Sequence, residues 1–149
     1  MRLLPYVLIL GAALLFAPAV LAAGLATPDE AKAMAIKAAD YLKANGPEKV
    51  FSEFNAKDGT WHDRDLYVLV RDSKGVMVAN GENHGLFGKN VLDLKDPDGK
   101  AFQREKLTIT DAGWINYRWL NPISRQVEPK SQYVIRVGDY LVGVGAYAR

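Results

Sequence analysis

Gly138-Asp139 stands between two runs rich in apolar and aromatic residues, Gln132–Val137 and Tyr140–Tyr147. So short a turn joins antiparallel neighbours, since parallel strands need a long crossover between them. The same pattern occurs upstream. Leu66 to Arg71 (LYVLVR) reads as a buried strand, Asp72-Ser73-Lys74-Gly75 as a hairpin turn, and Val76 to Ala79 as the return strand. With Trp114–Leu120 ahead of the last pair, the chain is committed to an antiparallel sheet of five strands.

Helices precede and interrupt this sheet. Thr27-Pro28-Asp29-Glu30 is a helix start, with Thr27 as cap, Pro28 in the first turn and Glu30 completing a capping box. Ala31, Met34, Ala35, Ala38, Tyr41 and Leu42 follow at helical spacing, and Asn45-Gly46-Pro47 ends the run. So many alanines on one stripe predict close packing against another element. A second short helix is expected from Pro47, with Val50, Phe51 and Phe54 on one face. Asp96-Pro97 predicts a third, covering Asp98 to about Leu107. Helices first and in the middle, with a closing meander, make this an α+β domain.

The chain has 149 residues and an ordinary apolar content, which suits one domain. It has no cysteine, which excludes a disulfide framework, a thiolate metal site and a lipidated cysteine. A net charge of +2 without a dense basic run argues against nucleic acid as partner. Arg2 is followed by an uncharged run from Leu3 to Ala26 that ends in small residues. It reads as a signal peptide over residues 1–22, cut after Ala22 or Ala23, ahead of a domain at 23–149. An uncleaved membrane anchor is the alternative, since the run is long enough to span a bilayer. Export without disulfides points to a bacterial periplasm.

Four segments in order carry a family resemblance: LYVLVRDSKGVMVANG, LFGKNVLDLKDPDGKAF, GWINYRWLNP and PKSQYVIRVGDYLVGVGAY. Together they resemble a single Cache domain of the second single-Cache type, as a free-standing secreted member. The resemblance implies a PAS-like antiparallel five-stranded sheet behind a long N-terminal helix, with covering helices and loops. It also implies extracytoplasmic sensing of small molecules, often short carboxylates. Helices in this position often dimerise in the family, so a homodimer through the N-terminal helix is expected. Where family members often carry histidine before the glycine of the loop after the second strand, this chain has Asn80, with His84 further along.

The candidate site starts from the aromatic strand. Ile115, Tyr117 and Trp119 point one way, and Trp114, Asn116 and Arg118 the other. With helices covering a sheet, either face can be buried. Trp114 and Trp119 are candidate pocket walls, and Tyr67, Tyr117 and Tyr133 candidate hydrogen-bond donors. Lys130 is the candidate charge partner, because one ammonium beside phenols suits a small organic anion. The glycine-rich stretch from Asn80 to Lys89 would be a lid. The plain alternative is that the aromatics are core and Lys130 a solvated turn residue.

Other chemistries fit less well. His62, Asp63, Asp65 and His84 lack metal-site spacing. Leu94 breaks the calcium-loop pattern of Asp93, Asp96 and Asp98. GENHGLFGKN has Asn83 where a phosphate loop needs glycine and Asn90 where it needs Ser or Thr. No G-x-S-x-G elbow is present, so a hydrolase would need a triad assembled from distant residues. Two functions remain in front: a periplasmic sensor domain for a short carboxylate, needing no cofactor, or an interaction module without a small ligand. The second would act on a membrane-bound sensor or transporter.

Overall fold

The computed structural model describes residues 24–148. The proposed signal segment lies outside them. No helix of the described residues is long and apolar enough to cross a membrane. Helix α1 is Pro28–Asn45 and α2 is Pro47–Phe54. The strands are β1 His62–Asp63, β2 Leu66–Asp72, β3 Met77–Asn80, β4 Ala112–Leu120, β5 Val127–Val137 and β6 Tyr140–Tyr147. Helix α3, Phe102–Glu105, runs into a 3-10 turn at Lys106–Thr108, and another such turn spans His84–Leu86.

α1 starts where its cap dictates. Thr27 Oγ1 accepts the Glu30 N–H at 3.2 Å, and the Glu30 carboxylate accepts the Thr27 N–H at 2.7 Å. Gly46, at φ 79°, closes α1 and opens α2, a conformation open to glycine at little cost. The buried face of α1 is Ala31, Ala35, Ala38, Ala39 and Leu42. Small side chains let the helix lie close on β5 and β6.

The sheet is antiparallel, ordered β1-β2-β6-β5-β4, with β3 also paired to β2. It has six strands where five were expected, because the two-residue β1 pairs His62 with Tyr67. Its alternating charges hide it from a search for apolar alternation. Two other boundaries differ. Asp96 caps a turn and not a helix: its carboxylate accepts the N–H groups of Asp98 and Lys100, and that of Arg118 on β4. Gly99, at φ 86°, breaks the helical path, so α3 begins only at Phe102. β5 begins at Val127, five residues before the expected start, and runs through Pro129. Proline is tolerated there because β5 extends past β6, whose ladder ends at Lys130↔Tyr147.

Two cores sit on the two faces of the sheet. Leu66, Val68, Val70, Val142 and Val144 pack under α1 and α2 with Phe54 and Trp61. Phe102, Ile109, Ile115, Tyr117, Val134 and Leu141 form the second core under α3.

Candidate functional site

The alternation of side chains along the strands decides what can meet. β4 buries Ile115 and Tyr117 on the α3 face, with Trp119 packed beside them. Trp114 faces the other way and is 39% exposed, its ring 4.9 Å from that of Tyr133, which packs toward α1. Of the six residues singled out, the α3 face therefore gathers Tyr67, Tyr117, Trp119 and Lys130. Trp114 and Tyr133 are separated from them by the thickness of the sheet. Register explains the split: Trp114 pairs with Tyr133, and Tyr117 with Lys130, three residues away and of opposite parity.

A buried polar row crosses this face. Lys130, 1% exposed, donates from Nζ to the Tyr67 hydroxyl at 2.8 Å and the Tyr147 hydroxyl at 3.1 Å. Its ammonium also lies 4.2 and 4.5 Å from the centroids of those two rings. Tyr147 spends its own proton on the Leu120 carbonyl at 2.9 Å. Tyr67 must then be the donor in the 3.2 Å contact between the two hydroxyls. The lysine stem needs room to cross β6, and Gly145 supplies it: a Cβ there would sit 2.5 Å from Lys130 Cε. Burial, with the neighbouring Tyr67, drives the Tyr147 hydroxyl far above its ordinary pKa, so it remains a neutral donor.

In front of this row lies a cavity of about 190 Å³. Its floor is Tyr67, Leu69 and Tyr117, and its apolar walls include Trp119, Phe102, Leu86 and Leu94. Asn80, Glu82 and Asn83 of the glycine-rich loop form one rim, and Pro122 and Arg125 of the β4–β5 connection form the other. The loop is pinned from Asn55, whose Oδ1 accepts the Asn80 N–H at 2.8 Å and whose carbonyl meets His84 Nε2 at 2.6 Å. Asn80 Oδ1 in turn accepts the N–H groups of Glu82 and Asn83. His62 Nε2 lies 3.4 Å from the Glu82 carboxylate, which ties β1 to the same loop.

Lys130 does not line this cavity. Lys106 does, and sequence reasoning missed it. Lys106 is 5% exposed, with Nζ 5.0 Å from the Phe102 centroid and 5.2 Å from that of Tyr117. Its ammonium makes no ion pair or hydrogen bond among the described residues. Burial, then repulsion by Arg71 and Lys130, holds its pKa well below the usual lysine range. The signal that could have found it is the spacing of Phe102, Lys106 and Ile109, which puts the lysine on the apolar face of its turn. Tyr117, its pKa pushed up by burial, donates to Gln132 Oε1 across a long 3.4 Å. Such a site offers an amine without a counter-ion that a bound anion would protonate, a loosely held phenol and aromatic walls. Among the described residues no three His, Asp or Glu side chains gather to hold a metal ion.

The profile of the family "single Cache domain 2" matches residues 20–149. The methyl-accepting chemotaxis protein McpP of Pseudomonas putida is 29% identical over 91 residues, 58% of this chain. The sensor histidine kinase MctS of Rhizobium johnstonii is 30% identical over 90 residues, again 58% of this chain. The match spans 17% and 20% of the length of those two relatives. Among solved structures, a methyl-accepting chemotaxis protein from Vibrio parahaemolyticus superposes at a TM-score of 0.68 with 25% identity, covering 80% of this chain and 86% of its own. A Cache chemosensory domain, solved for its recognition of carboxylic acids, also reaches 0.68, with 24% identity over 81% of this chain and 92% of its own. At that identity the likeness speaks for the fold.

Proposed function

The chain belongs to the single Cache domain 2 family, and from that premise we propose that it binds a short organic carboxylate in the cavity over the α3 face. The observation that carries this reading is Lys106, a buried lysine without an acceptor of its own on the wall of an aromatic cavity. A carboxylate there supplies the missing charge, and desolvated walls strengthen the pairing. Tyr117 can turn its hydroxyl from Gln132 to the ligand. Tyr67 serves as floor, since its proton is engaged by Tyr147, and Trp119 serves as wall. Lys130 positions Tyr67 and Tyr147 from behind, and Lys106 takes the charge-pairing role first assigned to Lys130. Trp114 and Tyr133, on the far face, have no part in it.

The open cavity beside Tyr117 and Trp119 favours a ligand-binding domain over an interaction module filled by its own side chains. The receptor and kinase among the relatives support a sensing role, which this reading places outside the cytoplasm and without catalysis. In this reading residues 1–22 direct export to the periplasm. A membrane-bound sensor or transporter reads the ligand state, and the outward face of α1, where Ile36 is exposed, is the surface for a second copy.

The test is thermal melting of the protein purified from the periplasm, against acetate, propionate, lactate, pyruvate, short dicarboxylates and amino acids. A ligand at about one hundred times its dissociation constant adds about 2.7 kcal/mol, which is several degrees for a domain of this size. A selective shift that Lys106→Met abolishes is the expected result. A panel with no shift, and no heat of binding by calorimetry, would overturn the proposal.

A further inference from the structure

Behind the main cavity, between β2, β5, β6 and α3, lies a second and much smaller one of about 20 Å³. It shares Gln103 and Lys106 with the first but reaches deeper, to Arg71 and Gln132. The four side chains are 3%, 4%, 5% and 1% exposed for Arg71, Gln103, Lys106 and Gln132 respectively. Three of their buried polar atoms have no partner: Arg71 Nε, Gln103 Oε1 and Gln132 Nε2. Burying a polar group without a partner is costly, and three such groups on side chains that line one void point to an occupant.

Donors outnumber acceptors at this void. Arg71 Nε and Gln132 Nε2 can only donate, and so can a protonated Lys106. Gln132 cannot exchange its amide ends at no cost, because its Oε1 accepts from Tyr117. Gln103 can: a half-turn of its amide presents NH₂ in place of Oε1. A water would accept two of these bonds but find at most one acceptor for its two protons. It would also leave the charge unbalanced. Arg71 feels the like charge of Arg136. Asp72 opposes it, but the Asp72 Oδ1 already accepts the Lys74 and Val76 N–H groups. The void holds about one small sphere. We propose that it is a binding site for a single halide ion, chloride in its natural setting, held by Arg71 Nε, Gln132 Nε2 and the Gln103 amide. The assignment is made for the protein with the larger cavity empty, where Tyr117 still holds Gln132 Oε1.

The test compares the purified protein in sodium chloride, sodium bromide and sodium gluconate at matched ionic strength, which separates specific binding from screening. The expected result is a saturable rise in melting temperature with either halide, half complete below about 0.1 M, and none with gluconate. Gln132→Leu, which removes one donor and fills space, should abolish the rise. Crystals grown in bromide should show an anomalous peak between Arg71 and Gln132, a readout that stands even if the variant folds poorly. Identical melting in chloride and gluconate, or a bromide crystal with an ordinary water in the void, would overturn the assignment. The carboxylate panel, repeated in gluconate, reads the larger cavity separately.

Discussion

Burial and charge pull against each other at Lys106. Its ammonium is stripped of water and faces Arg71 and Lys130, so the empty pocket favours the neutral amine. In the unfolded chain the amine keeps its ordinary affinity for a proton. Between the two values the unfolded state binds more protons, so stability should rise with pH up to the usual lysine range. Lys106→Met removes both the cost and the slope, and is expected to raise stability at neutral pH by about 1 kcal/mol or more. Urea unfolding of both proteins over a series of pH values checks it. A bound carboxylate calls the proton back, so affinity should fall as pH rises, and calorimetry in buffers of different ionisation heat should report proton uptake. Lys130 shows the opposite solution. Its Nζ is satisfied by two hydroxyls and two ring faces, in space that Gly145 leaves open. Gly145→Ala should cost about 1–3 kcal/mol in urea unfolding, since the new methyl meets a stem that cannot retreat without leaving both tyrosines. Sequence reasoning saw the aromatic strand and Pro129-Lys130, but not which lysine fronts the cavity. A lysine in FQREKLT looks solvated until the turn carrying it is seen to lie on the sheet.

At the scale of elements, the signals that proved legible were those with a local cause. The capping box at Thr27, the glycine-proline break at Gly46-Pro47 and the turn at Gly138-Asp139 act within a few residues, and the elements they bound follow the expected lines. The misreadings were set by tertiary structure. Asp96-Pro97 has the chemistry of a helix start, but the Asp96 carboxylate also accepts the Arg118 N–H across the fold, and Gly99 turns the chain away. Pro129 looks like a strand breaker until β5 is seen to outrun β6. The N-terminus of α1 carries a testable charge device. Arg64, at φ 56°, presents its guanidinium to Glu30 at 2.7 Å and to Asp63 at 2.9 Å. That ion pair, with the Thr27 N–H, lowers the Glu30 pKa to about 2. A carboxylate lowered on folding stabilises above its ordinary range, and that contribution is lost as pH falls toward the folded value. Arg64→Gln should return Glu30 toward the ordinary range and move the acid-unfolding midpoint of α1 to higher pH. Circular dichroism through an acid titration reads the shift.

At the largest scale, the described residues form a sheet with a helix layer on one face and a cavity of about 190 Å³ on the other, and the two faces differ in how they open. The α1 face is closed by alanines packed against β5 and β6. The other face is covered by α3 and by the loop from Gly81 to Asn90, which is held by turn bonds, by backbone bonds to Val68 and Met77, and by side-chain tethers from Asn55, Asn80, His62, His84 and Asn90. Segments with few buried apolar contacts open locally far more often than the core. A carboxylate that binds only the closed loop must leave before the loop opens, so it adds its binding free energy to each opening. At about one hundred times the dissociation constant, exchange of the loop amides should slow about a hundredfold. The same should hold for the β4–β5 connection around Arg125, the opposite rim of the cavity. The first turn of α1 lies across the sheet and can fray without releasing ligand, so its amides should exchange at an unchanged rate. Hydrogen exchange read by mass spectrometry, with and without ligand, separates these regions within one experiment. Slowing confined to the two rims places the ligand in the cavity. Protection at the outward face of α1, with the rims unaffected, would place it elsewhere and assign α1 to a partner.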